Sequence, residues 1–314
     1  MGRILDRVIG HRQIIQRLIE TKQQNKVPGT LLFVGPEGVG RRLTAMGFAQ
    51  ALLCENDPSG CGVCGSCIRV EKGTSEGVLL VEPEKQQIRI ERSREILEFL
   101  NLQAITNFRV IIIDAAESLN LQAANALLKV LEEPPPRTVF ILVAPTPKHV
   151  LQTIRSRSMI VSFAALDPME MGVKAPAWAL SASGGSFSKL AKLMDESELE
   201  ERTALLEMLK WWLEDETSYL RPSFRERVKD REFAHSCARG FQAFFRDLEL
   251  HRFGLGSALQ YADQKELLSS FAAVLPDGKA QSLYQMSLGL ESELKANRDS
   301  QLLFEEFWIR SHAI

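Results

Sequence analysis

The sequence predicts a doubly wound α/β domain followed by an all-helical one. Three observations carry that expectation. Short Val- and Ile-rich runs alternate with helical patterns through the first half, and a glycine-rich turn joins the first run to a helix. From Glu196 onward no strand alternation remains.

The candidate strands are Thr30–Val34, Val78–Val81, Val110–Ile113, Val139–Val143 and Met159–Phe163. Continuous apolar runs of this length suit strands buried on both faces of a parallel sheet. Helical spacing fills the intervals near Gln13–Lys22, Arg41–Leu53, Ser93–Leu102 and Ala116–Glu132. In the last of these Leu119, Ala123, Ala126, Leu127, Val130 and Leu131 share one face, and Pro134-Pro135-Pro136 ends the helix. The character changes after Phe163. Residues 165–195 contain Pro168, Pro176 and the run Ser181–Gly185, and read as a small, partly helical segment. Beyond it Glu198–Leu213, Phe224–Leu250, Ala258–Val274 and Ala280–Arg310 read as helices. The expected organisation is therefore an α/β domain over 1–164 with a cysteine-rich insertion at 54–67, a connecting domain over 165–195 and a helical domain over 196–314.

Composition narrows the function classes. Apolar content of 45% and charged content of 25% are those of an ordinary globular chain. With 38 basic and 40 acidic residues the net charge is −2, so no global field draws the chain to nucleic acid, and any such contact must be local. The opening MGRILDRVIGHRQIIQRLIE lacks the unbroken apolar run of a secretion signal, and Asp6 breaks the myristoylation pattern. No stretch approaches the roughly 20 apolar residues of a membrane span. A cytoplasmic protein with reduced thiols is expected, its five cysteines serving as metal ligands or core residues.

After the first strand comes Gly35-Pro36-Glu37-Gly38-Val39-Gly40-Arg41-Arg42, then a helix. The G-x4-G spacing in a strand–loop–helix context matches a P-loop, in which backbone N–H groups and a helix N-terminus face phosphates. A working loop continues with Lys, which reaches the terminal phosphates, and then with Ser or Thr, which ligates Mg²⁺. Here both positions are arginine. Arg41 keeps the charge in a longer, planar form. Arg42 removes the metal ligand and sets a cation where Mg²⁺ would sit. Two unit charges 4 Å apart repel by about 4 kcal/mol at an effective dielectric of 20, and a divalent ion would feel roughly 8, unless Arg42 swings outward. Arg109-Val110-Ile111-Ile112-Ile113-Asp114 has the form of a strand ending in the Mg²⁺-associated carboxylate, but Ala115 follows where hydrolysing proteins carry a Glu; Glu117 lies further on. Gly35, Gly38, Gly40, Arg41, Arg42 and Asp114 thus outline a degenerate nucleotide site not expected to hydrolyse, which could still bind nucleotide, and Asp114 equally suits a structural carboxylate at a strand end.

Cys54, Cys61, Cys64 and Cys67 form C-x6-C-x2-C-x2-C among Gly60, Gly62 and Gly65. Four thiols so spaced read as a closed, structural tetrahedral Zn²⁺ site. An iron–sulfur cluster is the rival, although in ferredoxins the fourth Cys lies downstream and precedes Pro, whereas here it lies upstream and Ile68 follows Cys67. Cys237, alone in a helical stretch, reads as a core residue.

Three further stretches complete a pattern: the cysteine insertion directly after the loop's helix, Asn125-Ala126-Leu127-Leu128-Lys129-Val130-Leu131-Glu132-Glu133-Pro134-Pro135, and Thr153-Ile154-Arg155-Ser156-Arg157-Ser158. In this order and spacing they resemble the clamp-loader subunits of the bacterial replicative polymerase, DNA polymerase III, and most closely the delta prime type. The resemblance is dense from Val8 to Phe163, thins afterwards, and returns at Asn297-Arg298-Asp299-Ser300-Gln301-Leu302-Leu303.

That resemblance implies an AAA+ P-loop domain, a reduced lid at 165–195 and a ring-forming helical collar. It implies a non-hydrolysing stator of the polymerase holoenzyme, assembled with gamma/tau-type motor subunits and a delta-type subunit. Together these would load a sliding clamp onto primer–template DNA, with no membrane involved. Ser156-Arg157-Ser158 stands where the family has Ser-Arg-Cys, whose arginine reaches ATP held by the neighbouring motor subunit. Arg157 would then be an arginine finger in trans. Without the resemblance it is an ordinary basic residue before a strand. Ser183-Gly184-Gly185-Ser186-Phe187-Ser188-Lys189 resembles the family's sensor-2 stretch with Lys189 in place of Arg, and equally suits a solvated helix. Arg89, Arg92 and Arg94 flank a helix start that could face DNA, or else lie on an ordinary surface. Trp211 and Trp212 suit helical packing. Two other readings stand beside this one: an active AAA+ ATPase motor subunit, and a stand-alone zinc-containing nucleic-acid-binding module, which the near-neutral charge disfavours.

Overall fold

Strand and helix alternate as the apolar runs require. In the computed structural model, which describes residues 2–102, 106–256, 259–276 and 278–313, a parallel sheet is built from β1 (Thr30–Val34), β2 (Val78–Val81), β3 (Arg109–Ile113), β4 (Thr138–Ala144) and β5 (Met159–Ser162). Its order is β2-β3-β4-β1-β5, with every pairing parallel. Parallel neighbours need crossovers. α1 (Arg12–Gln23) precedes the first strand, and the crossovers are supplied by α2 (Arg41–Leu53), α3 (Gly65–Glu71), α4 (Ile90–Asn101), α5 (Leu121–Glu132) and α6 (Gln152–Arg155).

Because side chains alternate across a strand, successive residues feed two cores. Leu31, Phe33, Val110, Ile112 and Ile141 pack with Leu18, Phe48 and Leu52 on one face. Leu32, Val34, Ile111, Ile113 and Leu142 pack with Ile96, Leu127 and Ile154 on the other. The expected burial on both faces holds for β1 and β4, and for β3 beyond Arg109, but fails at the sheet's edges. In β2 only Val81 is fully enclosed, and in β5 Met159 and Ile160 are 53% and 42% exposed. An edge strand has a neighbour on one side only, so an apolar sequence does not guarantee enclosure.

The chain divides into two compact units, Met1–Gly172 and Val173–Ile314. The second contains α7 (Ala177–Ser183), α8 (Phe187–Leu193), α9 (Glu196–Glu214), α10 (Pro222–Lys229), α11 (Arg231–Arg252), α12 (Lys265–Val274), α13 (Lys279–Lys295) and α14 (Ser300–Ala313). Its core is aromatic, with Phe224, Phe241, Phe244, Phe245, Phe271, Phe304 and Trp308 buried together. Cys237 lies inside it, Trp212 donates from Nε1 to Ser311 Oγ at 2.7 Å, and Trp211 is half-buried against it.

Three long helices expected from spacing are interrupted, each by a polar residue that satisfies a new helix start. Asn120 accepts from the Ala123 N–H at 2.8 Å and begins α5, leaving Ala116–Ser118 as a separate 3-10 turn. Asp230 accepts from Phe233 N at 2.9 Å and separates α10 from α11. Asn297 turns the chain at φ +65°, and Asp299 then caps α14 through Leu302 N at 2.9 Å. The helix expected from Ala258 begins at Lys265; Ala258 itself lies outside the described residues. Among the described residues no helix is long and apolar enough to cross a membrane.

Candidate functional site

The phosphate-loop backbone is fully formed. Gly35 N donates to Pro145 O at 3.1 Å, and Gly38 and Gly40 take left-handed values of φ, +73° and +96°, that favour glycine. Gly35 is required for a different reason: a Cβ there would lie 2.3 Å from the carbonyl oxygen of Phe163. His11 backs the loop, its Nε2 3.1 Å from Val39 O and its ring edge-on to Phe163 at 4.9 Å between centroids. Burial pushes the His11 pKa down, against opposing effects from the Val39 carbonyl and Glu170.

The two arginines decide what the loop can bind. β2 and β3 pair in parallel with Val81 beside Ile113, so the residues that follow them, Glu82 and Asp114, emerge side by side. Arg42, in the first turn of α2, reaches both. Its Nη1 donates to Glu82 and lies 3.2 Å from Asp114 Oδ2. The guanidinium therefore turns onto the carboxylate that would attend Mg²⁺, and does not escape outward. Half-exposed pairs of this kind contribute only about 0–1 kcal/mol to stability, so their consequence is chemical: Asp114 already has its cation. Asp114 Oδ1 also accepts from Ala115 N at 3.1 Å, and Ala115 is left-handed at φ +52° with no side chain to orient water. Arg41 donates to the Ala144 carbonyl at the end of β4. Its pKa is lowered by burial, while Glu117, Asp114 and Glu37 act in the opposite direction.

The four cysteines converge. Their sulfurs all lie within 4.8 Å of one another, with Cys54–Cys64 at 4.0 Å and Cys61–Cys67 at 3.9 Å. A tetrahedral ion with metal–sulfur bonds of about 2.3 Å sets its sulfurs about 3.8 Å apart. The spacing fits one four-coordinate ion, whereas a cubane cluster would hold the same thiolates at its outer corners, much further apart. Gln50, fully buried in α2, positions the insertion: Oε1 accepts from Ile4 N at 2.9 Å and Nε2 donates to Cys67 O at 3.1 Å. The N–H groups of Val63 and Cys64 draw the Cys61 thiol down to about 6, while burial pushes Cys67 up. Lys22 caps the end of α2 by donating to Cys54 O at 2.8 Å, close to the sulfurs.

Arg157 lies just past α6. Its Nε and Nη2 both donate to Glu132 Oε2, at 3.0 and 2.9 Å, and Nη1 donates to Thr153 O at 2.9 Å. Elsewhere, Lys189 is exposed in the first turn of α8, which Ser186 caps through Lys189 N at 3.1 Å. Of the three arginines near α4, Arg92 pairs with Glu84 and Glu95, while Arg89 and Arg94 are exposed. Sequence reading missed Glu82, Glu132 and His11. Glu82 alone carried a signal, since it follows a strand expected to run parallel to the one ending in Asp114.

The family model described as "DNA polymerase III, delta subunit" matches residues 10–167. A Pseudomonas aeruginosa protein, DNA polymerase III subunit delta', is 37% identical over 131 residues, covering 40% of each chain. DNA polymerase III subunit gamma/tau of Mycobacterium bovis is 31% identical over 168 residues, covering 52% of this chain and 29% of that one. The chain thus aligns with less than half the length of these curated relatives. Among solved structures, a DNA polymerase III gamma subunit-related protein from Thermotoga maritima is 18% identical with a TM-score of 0.42, over 95% of this chain and 97% of that one.

Proposed function

The chain belongs to the DNA polymerase III delta subunit family, and from that premise we propose that it is a non-hydrolysing clamp-loader subunit of the delta prime type. In this reading it completes a ring with gamma/tau-type motor subunits and a delta-type subunit, and helps place a sliding clamp on primer–template DNA. Residues 165–195, including α7 and α8, would be what remains of the lid, although the division between compact units falls at 172/173, and the helices from α9 onward the collar.

The observation that carries the reading is the pairing of Arg42 with Asp114 and Glu82. Phosphoryl transfer at a P-loop needs Mg²⁺ between a loop hydroxyl and this carboxylate, and a residue that orients water. Here the hydroxyl is a guanidinium, the carboxylate is engaged, and Ala115 supplies nothing. The chain would contribute chemistry instead through Arg157, exposed at the end of α6 and permanently charged, directed at the γ-phosphate of ATP held by a neighbouring motor subunit. Cys54, Cys61, Cys64 and Cys67 would hold Zn²⁺ as a structural ion, since four thiolates leave no open position.

Reconstitution with the motor and delta-type subunits, clamp and primed DNA tests this. Arg157→Ala should lower turnover by about a thousandfold or more at the one ATP site it completes, with ring assembly unchanged. Unaltered turnover would sink the finger, and ATP hydrolysis by the isolated chain would point to a motor subunit instead.

A further inference from the structure

We propose that Glu132 is a positioning residue for Arg157, holding the side of the guanidinium so that its end faces outward. This rests on the reading of Arg157 as a finger acting on a neighbour's phosphate.

A guanidinium has five N–H groups. Nε and the near N–H of Nη2 both go to Glu132 Oε2, and one N–H of Nη1 goes to Thr153 O. The second N–H of Nη2 has no partner among these contacts, and with Nη1 it forms the end of the fork, the edge that meets two oxygens of a phosphate. Nη1 also reaches Ser156 Oγ at 3.5 Å, a long contact that an anionic phosphate oxygen would displace.

Glu132 is itself on a fixed corner. It is the last residue of α5, and the preceding carbonyl, Leu131 O, accepts from Thr30 Oγ1 at 2.9 Å within the core. Two residues on, Pro134 packs so closely on Gly29 that a Cβ there would lie 2.7 Å from Pro134 Cγ. Arg157 is also tethered: its backbone N donates to Ile154 O at 3.1 Å, and Arg155 Nη1 donates to Pro147 O at 3.3 Å. A long arginine on a surface otherwise samples many rotamers, and ordering it beforehand removes that loss from the moment of contact.

The test uses the assembled loader with clamp and primed DNA, comparing Glu132→Ala, Glu132→Gln, Arg157→Ala and the double variant, with incorporation checked by gel filtration. Glu132→Ala should lower kcat at the ATP site that Arg157 completes by up to about a hundredfold, the scale of a misplaced catalytic group, and leave KM for ATP unchanged. Glu132→Gln, whose amide oxygen still accepts, should recover most of that loss, and Glu132→Ala should add nothing to Arg157→Ala. If Arg157→Ala slows turnover but Glu132→Ala does not, the finger stands and the positioning role falls. Faster turnover in Glu132→Ala, or a raised KM with kcat intact, also overturns it. If Arg157→Ala is itself without effect, the finger reading fails first.

Discussion

Arg42 Nη1 lies 3.2 Å from Asp114 Oδ2, so the arginine that follows the glycine loop is paired with the carboxylate at the end of β3. In the proposed reading, the loop and strand that would share Mg²⁺ share a guanidinium instead.

If the ion pair blocks the site as proposed, Arg42→Thr should open it to Mg-nucleotide. It removes the competing cation and supplies a hydroxyl, so affinity for Mg-nucleotide should rise about tenfold or more, a gain of about 1.4 kcal/mol. Titration with a fluorescent ATP analogue, with and without Mg²⁺, reads this directly. Equal affinity in both proteins would mean that the ion pair does not block the site.

The cysteine cluster should carry one metal ion per chain by elemental analysis. Cys64→Ser should lose it, and both this variant and the chelator-treated chain should melt lower by about 4 °C or more. Finding iron with acid-labile sulfide would replace zinc with a cluster, against the observed sulfur spacing.

His11 makes acid sensitivity local. Its folded pKa lies below its ordinary value of 6.5 because of burial. Between the two values the unfolded chain binds more protons, so its contribution is complete above pH 6.5 and is lost as pH falls through the folded pKa. His11→Asn, which tolerates the left-handed backbone at φ +53°, should show a smaller fall in Tm between pH 7.5 and 5. An identical fall in the two proteins would assign the acid response elsewhere.

Gly35→Ala should destabilise the first unit by about 1–3 kcal/mol through overpacking, since the added Cβ meets the Phe163 carbonyl. Urea unfolding should show a lower midpoint at unchanged m-value; an unmoved midpoint would mean that the β5 backbone gives way freely.

The sequence made the strands legible almost to the residue because apolar Val and Ile runs have few other uses. It did not distinguish enclosed strands from edges, since Met159 and Ile160 have the same composition as the buried runs. The helix interruptions at Asn120, Asp230 and Asn297 were written in polar residues that apolar spacing overrides. The loop, the cysteines and Arg157 were legible as motifs. Their partners were less so: Glu82 and Glu132 stand 40 and 25 residues from the arginines they meet, and only Glu82, at the end of a strand expected beside the one ending in Asp114, left a trace in the sequence.

Gly35 bears on how such proteins are classified. Its smallness answers to a neighbouring carbonyl in the chain's own fold, so selection can keep the glycine after any need to approach a phosphate has gone. A search that counts glycines after a strand will therefore gather chains whose glycines answer to packing along with those whose glycines answer to a phosphate. The discriminating positions are the two that follow the last glycine and the one that follows the strand-end aspartate, where the residue type bears on the chemistry of the site.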